Sequence, residues 1–217
     1  MAKQDGAPHP RIAAGLEAHD GSPLDPGTDL DGFAITGGDF TGSVAPGLRI
    51  LGSALADCVL DGALLSGAAL HDATLDRVRA AGVELDSARL LNVIVTGSLL
   101  SGAQVFDAEI RRVAFRDCKL DGVNFRDATL VDVSFEDCSL AEADFGSATM
   151  QRVRFPGSRL TSADFTRARM EEVDLRGCQL SVDRGYDALG GAIIDSTQLG
   201  ELAPALAQHL GLVVRDD

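Results

Sequence analysis

The four cysteines are the residues whose type and spacing come closest to a chemical site. They are separated by multiples of 20 residues, at Cys58, Cys118, Cys138 and Cys178. Thiolates brought together by such a spacing would form disulfides or bind a soft metal ion. The histidines that would complete a metal site follow no common spacing; they are His9, His19, His71 and His209. We therefore interpret the cysteines as core residues and predict no metal site.

No other set of residues predicts catalysis. The sequence has no nucleophile elbow, no phosphate-binding glycine loop and no paired-carboxylate motif, so we expect neither an enzyme nor a bound cofactor. The net charge of −14 disfavours direct binding to nucleic acid and to membranes, because both need clustered lysine and arginine. It permits a basic protein partner. No stretch resembles a signal peptide or a membrane span, which predicts a cytoplasmic protein.

A period of five residues organises the chain from Leu30 to Leu180. Every fifth position in this range is a large apolar residue at 29 of 31 sites, the exceptions being Ala45 and Ala80. Two residues before each of these positions lies a second column of small residues, which Phe33 and Leu48 interrupt and which contains all four cysteines. A period of five fits neither a helix nor an alternating strand. It predicts a backbone that turns a corner every five residues, with one large and one small side chain inside.

A longer period of 20 residues is superimposed on the first. Segments 111–130, 131–150 and 151–170 align with each other, so that valines and cysteines recur in the same phase. Four units of five then make one coil, and equivalent residues stack on each other. At the strand spacing of about 4.8 Å, 31 units predict nearly eight coils and a column roughly 35–40 Å long. Ala45, Pro46 and Leu48 break the pattern, so we expect the early coils to be less regular.

This pattern resembles the pentapeptide-repeat family, whose motif is A-(D/N)-(L/F)-x-x. Clean copies are Ala143-Asp144-Phe145 and Ala163-Asp164-Phe165. The resemblance covers residues 30–180 and implies an all-β solenoid, a right-handed quadrilateral β-helix of about eight coils. No insertion interrupts the frame, so the chain is similar to the loopless branch, that of the mycobacterial fluoroquinolone-resistance protein.

The two ends follow different patterns and divide the chain into three parts. Residues 1–29 are rich in proline and glycine, and we expect them to be mobile apart from a short helix at 11–19 that would cap the first coil. The repeat occupies 30–180. In 181–217, after an irregular stretch to 194, Asp195 or Ser196 begins a short helix and Pro204 suits the start of a second one.

An apolar stripe in this C-terminal segment has two interpretations that stay open. It consists of Leu199, Leu202, Leu206 and Leu210. One interpretation is a lid on the last coil, which would otherwise expose an unpaired edge. The other adds a homodimer interface, since the resemblance to the topoisomerase-protecting branch of the family implies dimerisation through a C-terminal helical segment.

One side of the predicted coil contains acidic residues and no lysine or arginine. It is built from 41–45 and from every following segment at intervals of 20 residues, and we call it the acidic face. Its acidic residues are Asp61, Glu84, Asp121, Glu142, Asp144 and Asp164. Asp107 and Asp127 would extend it at the next corner, although Arg126 and Arg167 are near them. Such a face either aids solubility or imitates a row of nucleic-acid phosphates.

The acidic face and the resemblance together predict a binding protein rather than an enzyme. The family includes acidic, dimeric proteins that protect DNA gyrase and other type II topoisomerases, so the resemblance implies a DNA mimic with gyrase as partner and a role in quinolone resistance. The alternative is a general protein-interaction scaffold with a different partner. Neutralising the acidic face distinguishes the two functions.

Overall fold

Parallel strands joined by tight corners form a four-sided coil in the computed structural model of the chain, which describes residues 7–12, 14–19 and 21–215. Within the repeat, strand residues pair with the residue 20 positions along, as Leu70 does with Leu90 and Leu90 with Ile110. The five-residue and 20-residue periods are therefore confirmed as the side and the full turn of a β-solenoid. It has about nine turns, not the predicted eight, because strands outside the repeat frame continue the stack at both ends.

All strand pairs are parallel. The strands are β1 (Glu17–Ala18), β2 (Asp29–Asp31), β3 (Phe33–Thr36), β4 (Arg49–Leu51), β5 (Ala54–Ala56), β6 (Ala69–Asp76), β7 (Arg89–Thr96), β8 (Glu109–Arg116), β9 (Thr129–Glu136), β10 (Thr149–Gln151), β11 (Arg159–Asp164), β12 (Arg169–Glu171), β13 (Val173–Asp174), β14 (Gln179–Arg184) and β15 (Ala192–Ile193). The main sheet follows the order β1-β3-β5-β6-β7-β8-β9-β10-β12, and β4 joins β2 to β6. Two further pairs, β11-β14 and β13-β15, lie near the C-terminal end.

The corners depend on residues in the left-handed backbone region. In one corner column Gly32 and Gly52 are followed by Asp72 and Asn92, and all four have φ between 51° and 75°. Glycine, asparagine and aspartate tolerate this conformation best. The same column continues with Arg112, Asp132, Arg152 and Glu172, for which the stacked coils must offset the backbone strain.

The core changes in character along the solenoid. In the C-terminal half, Phe115, Phe135 and Phe155 stack with ring centroids 5.0 Å apart. A second ladder of phenylalanines, starting at Phe125, meets the first edge to face at about 6 Å. The N-terminal half is filled by leucine, isoleucine and alanine and contains an apolar cavity of about 40 Å³ beside Ala80. Aromatic rings fill the interior better because flat faces can stack at the coil spacing.

The early coils are regular, so the prediction of irregularity there was wrong. Leu30 pairs with Ile50 and Val44 with Leu64, in the same 20-residue register as the rest. Leu48 is 1 % exposed although it occupies a small-residue position, and its neighbour Ala45 is fully buried at a large-residue position. The large and small side chains have exchanged columns, so the total volume inside the coil is kept.

The N-terminal segment is an extended arm. No helix forms at 11–19 in the described residues; β1 instead pairs with β3, and the ring of His19 contacts Phe33 and Phe40 edge to face. Further towards the N-terminus the arm crosses several coils along one corner. The backbone N–H of His9 donates to Asn92 Oδ1 (2.5 Å), Asn92 Nδ2 donates back to the His9 carbonyl (2.8 Å), and the N–H of Arg11 donates to Asp72 Oδ1 (3.1 Å). The predicted mobile segment 1–29 therefore includes residues held by corner side chains.

The C-terminal end is closed by a single helix. Parallel pairing continues beyond Leu180 through β14 and β15, with a 3-10 helix at Tyr186–Leu189 between them, so the stretch predicted to be irregular is largely ordered. Helix α1 (Ser196–His209) has Asp195 as its N-cap in a reciprocal capping box with Gln198. Two helices were predicted, but α1 continues through Pro204. The carbonyl of Gly200 that proline leaves without a partner lies on the exposed side, where water can satisfy it.

Candidate functional site

The acidic face has a straight central column. Isolated β-bridges join Leu64, Glu84, Gln104, Asn124, Asp144 and Asp164 in succession. Three of the predicted site residues, Glu84, Asp144 and Asp164, therefore lie on one line. Asp61 and Asp121 share the neighbouring corner column, and Glu142 follows at the next position of that corner, with φ of 58°. The N-terminal end of the face is apolar, since Val44 and Leu64 are 53 % and 38 % exposed.

Arginines from neighbouring sides reach round the corners to this face. Arg79 Nε lies 2.6 Å from Asp61 Oδ2. Arg126 Nη1 lies 3.0 Å from Asp144 Oδ2, and Arg184 Nε lies 3.4 Å from Asp164 Oδ2. The segments that build the face carry no cation, but the face is not free of positive charge. Assignment by segment missed this because an arginine side chain is longer than the distance from one side of the coil to the next.

Several of these carboxylates also hold the coil corners. Asp61 Oδ1 accepts the N–H of Ala81 (2.9 Å), and Asp121 Oδ1 accepts the N–H of Ala141 (3.0 Å) in the same way. Asp144 and Asp164 each accept the N–H of the residue two positions later, at 2.8 Å. Lys119 Nζ lies 3.8 Å from Asp121 Oδ2. Four of the six acidic residues on the face therefore have a structural role.

The pKa values of two of these carboxyls reflect this environment. The hydrogen bond from Arg79 lowers the pKa of Asp61 below its usual range. Asp164 is 8 % exposed. Its burial opposes ionisation, but the hydrogen bonds from Thr166 and the charges of Arg184 and Arg126 outweigh it and lower the pKa of Asp164. Both carboxylates are ionised at neutral pH.

Four predicted site residues form no ion pair within the described part of the chain: Glu84, Asp107, Asp127 and Glu142. Asp107 and Asp127 stack at the corner that borders the acidic face, and the Ser87 hydroxyl donates to Asp107 Oδ2 (3.2 Å). Among these residues Phe106 is 41 % exposed. Sequence reasoning missed Phe106, although its position in a polar column of the repeat marks it as outward-facing.

The leucines of the C-terminal stripe divide into two groups. Leu202 is buried and Leu206 packs against the core, whereas Leu199 and Leu210 are 52 % and 70 % exposed. The buried side chain of Gln198 anchors the helix, because its Nε2 donates to the carbonyls of Leu175 (2.6 Å) and Cys178 (2.9 Å).

The chain beyond the helix adds a second apolar surface that was not predicted. Leu212, Val213 and Val214 are all exposed. The signal in the sequence is a run of three apolar residues after Gly211, where the chain turns back so that the N–H of Leu212 donates to the Ala207 carbonyl (2.8 Å).

The cysteines lie in the core column where the repeat places them. All four are buried and unpaired by disulfides. The thiols of Cys118 and Cys138 donate to carbonyl groups of the preceding coil at 3.5 Å. Burial raises the pKa of Cys178 to about 11, so its thiol is unreactive at neutral pH. No group of three or more histidine, cysteine or acidic side chains is arranged to hold a metal ion among the described residues.

None of the described helices has the length and apolar character needed to cross a bilayer.

Two family models match the repeat region of the chain. The model of the pentapeptide repeat region matches residues 108–182, and the model of pentapeptide repeats in eight copies matches residues 63–102. No curated protein matches the chain. Among solved structures, a trypsin-treated variant of QnrB1, a plasmid-mediated fluoroquinolone resistance protein, is 21% identical, with 92% of this chain and 98% of that chain covered and a TM-score of 0.47.

HetL, from the cyanobacterium Nostoc sp. strain PCC 7120 and involved in the regulation of heterocyst differentiation, is also 21% identical. The alignment covers 78% of this chain and 90% of HetL, with a TM-score of 0.47. The two family models together match more than half of the chain, in the frame that the strand register shows. The chain belongs to the pentapeptide-repeat family.

Proposed function

We propose that the chain is a non-enzymatic binding protein that acts in the cytoplasm and binds a basic protein partner through its acidic face. In its specific form, the proposal is that the face imitates the phosphates of DNA and that the partner is DNA gyrase or a related type II topoisomerase, which it modulates or protects from quinolone-type poisons. The observation that carries the proposal is a group of carboxylates that form no ion pair within the described residues, Glu84 and Glu142 on the acidic face and Asp107 and Asp127 at the corner that borders it.

The rigidity of the stack supports this proposal. Charges fixed to a β-solenoid keep a constant spacing of about 4.8 Å between coils, so a partner groove meets them without first ordering the chain. The field of a cluster of carboxylates also steers a basic partner towards the face and raises the association rate.

A general interaction scaffold is the second candidate, and the arginines favour it. Arg79, Arg126 and Arg184 neutralise acidic residues of the face, so the charge is sparser than in DNA, which carries one charge per about 1.7 Å of axis. Val44 and Leu64 are exposed at one end of the face. Exposed apolar side chains suit contact with a protein surface, whereas an imitation of phosphates does not need them.

We also propose a homodimer that forms through the C-terminal segment. The exposed Leu199 and Leu210, with the tail at 212–214, form an apolar surface on the outer side of the cap. Leu202 and Leu206 are not available for this contact because they pack against the last coil.

A gyrase supercoiling assay with added protein tests the specific proposal. We expect the wild-type chain to inhibit supercoiling. The variant with Glu84→Gln, Asp107→Asn, Asp127→Asn and Glu142→Gln should lose this effect, because it removes four charges that form no ion pair with any described residue of the chain. Asp121, Asp144 and Asp164 are left unchanged, since their carboxylates hold coil corners.

A matched variant controls for the change in total charge. It carries Asp31→Asn, Asp117→Asn, Asp137→Asn and Glu172→Gln on other sides of the coil, and in both variants three of the four positions have positive φ. If both variants lost inhibition of supercoiling equally, the inhibition would depend only on the net charge of the chain. No inhibition by folded wild-type protein would exclude gyrase and leave the scaffold, whose partner a pull-down would then identify.

A further inference from the structure

Phe106 is exposed although nothing in the repeat requires an aromatic residue there. The other eight phenylalanines are buried or half-buried, whereas Phe106 is 41 % exposed. It lies at the corner between the acidic face and the next side, in a column that otherwise holds Pro46, Ser66, Asp86, Arg126, Gly146 and Thr166. A single exposed apolar residue is ordinary in itself. The residues around Phe106 are polar or charged, and they indicate which chemical group would bind there.

The register of the coils places three acidic residues at positions next to Phe106. The N–H of Ser87 donates to the Phe106 carbonyl (3.0 Å), which places Asp86 one coil before Phe106, and the N–H of Asp107 donates to the Arg126 carbonyl (2.9 Å), which places Asp127 one coil after Asp107. Within the described residues, neither Asp86, Asp107 nor Asp127 pairs with a lysine or arginine. Hydroxyl groups of Ser66 (2.7 Å) and Ser87 (3.2 Å) donate to Asp86 and Asp107 and leave their charges uncompensated.

The neighbouring cation is held away from this ring. Arg126 follows Phe106 in the same column, but its guanidinium is bound to Asp144 in the next coil (3.0 Å). It occupies the space above Gly146, where a Cβ atom would lie only 2.8 Å from Arg126 Nη1. The chain therefore supplies an aromatic ring and three carboxylates at this corner, while the hydrogen bonds of its own arginine go to Asp144 and only the charge of Arg126 acts on Asp127.

We propose that Phe106, Asp86, Asp107 and Asp127, the Phe106 patch, bind an arginine side chain of a protein partner. The inference rests on the proposed function and specifies the chemistry of the partner. A guanidinium stacks on an aromatic ring and donates two parallel hydrogen bonds to a carboxylate at the same time, which an ammonium group cannot do. A second copy of this chain, with its net charge of −14, is a poor occupant of a negative patch.

Binding of a nona-arginine peptide, measured by calorimetry at low salt and mapped by backbone amide shifts, tests this site. We expect shifts centred on residues 86, 106, 107 and 127. Phe106→Ala should weaken binding about fivefold, and Phe106→Tyr should retain it because the ring face is kept. A nona-lysine peptide should bind more weakly and depend less on Phe106.

Val44→Ala is the matched control, because Val44 is an exposed apolar residue at the far end of the acidic face. The proposal would be overturned if Phe106→Ala bound the nona-arginine peptide as tightly as wild type, or if Val44→Ala lost as much affinity for it. Amide shifts spread evenly over all acidic residues would overturn it as well. The gyrase supercoiling assay distinguishes failure of the Phe106 patch from failure of the proposed function. Inhibition that Phe106→Ala retains in full would overturn the role of the patch and leave the proposed function intact. Arginine binding that depends on Phe106, in a chain without effect on gyrase, would support the patch and exclude gyrase as the partner.

Discussion

Individual acidic side chains in this protein both hold the backbone of the coil and form ion pairs on its surface. Asp61 accepts the N–H of Ala81 and also pairs with Arg79. The stacked corner residues Asp132 and Arg152 form two parallel hydrogen bonds between neighbouring coils, at 2.5 and 3.0 Å. Charge on the surface therefore follows from pairs formed between coils and cannot be counted side by side from the sequence.

Replacing Arg79 by glutamine should raise the pKa of Asp61 towards its ordinary value, because the hydrogen bond that lowers it is lost. The folded-state pKa of Asp61 is depressed, so the contact stabilises the protein above the unfolded pKa of about 3.9, and this stabilisation disappears as pH falls through the folded value. The urea midpoints of wild type and Arg79→Gln should thus differ at pH 7 and converge below about pH 4.

Carboxyl carbon shifts of Asp61, followed by NMR through a pH titration, measure the first effect directly. Arg167→Gln serves as control, since Arg167 is not among the groups that perturb Asp61. A titration midpoint of Asp61 that does not move in Arg79→Gln would contradict the assignment of this ion pair.

At the scale of elements, the coils differ in how well their interiors are filled. Stacked phenylalanines fill the C-terminal coils, and Phe135 contacts three other rings. The leucine-rich coils contain an apolar cavity of about 40 Å³ that is lined by residues from Leu24 to Leu100. Ala80, one of the two positions where alanine replaces a large residue, is part of this lining. At the other position, Ala45, the buried side chain of Leu48 fills the volume that the alanine leaves. We infer that the coil around residue 80 is underpacked.

Ala80→Val should stabilise the protein by about 0.5–2 kcal/mol, because the added methyl groups fill existing space. The same substitution at Ala63, in the small-residue column, should destabilise it by about 1–3 kcal/mol through overpacking; Ala63 is fully buried. Urea denaturation of both variants provides the free energies of unfolding. Destabilisation by Ala80→Val of the same size as by Ala63→Val would show that no usable space exists beside Ala80.

The whole molecule is a rod with unlike ends. At the N-terminal end the arm pairs with the first coil and is fastened along a corner by Asp72 and Asn92. At the C-terminal end α1 covers the last coil through Leu202 and Gln198. Closing the stack in these ways protects strand edges that would otherwise pair with other chains. The apolar surface that remains on the outer side of α1 is the basis for the proposed dimer.

Sedimentation velocity should give the mass of a dimer for the wild-type chain and of a monomer for the variant Leu210→Gln, Val213→Gln. These two residues are 70 % and 77 % exposed, so the substitutions should leave the fold intact while making the proposed interface polar. In a symmetric dimer each substitution acts twice. Val44→Gln, at the opposite end, should remain dimeric. A wild-type chain that sediments as a monomer at every concentration would contradict the dimer.

The solenoid, its register and the side on which each repeat residue lies follow from the amino-acid sequence alone. The physical reason is that a period of five permits only one large and one small residue per side, so 31 units from Leu30 to Leu180 in one frame leave no alternative arrangement. The buried cysteine column and the N-cap at Asp195 followed from the same local rules.

The paths of the two ends of the chain and the side-chain contacts across the corners depend on packing between coils, which the repeat pattern does not contain. The path of the arm depends on hydrogen bonds between residues 83 positions apart, and helix α1 continues through Pro204 because the last coil holds Leu202 and Leu206 on either side of it. Arginines reach the acidic face from other sides through contacts between coils, and the stacking of the coils places Asp86 and Asp127 at positions next to Phe106. Such contacts join side chains of different repeats, whereas periodicity describes only one repeat at a time.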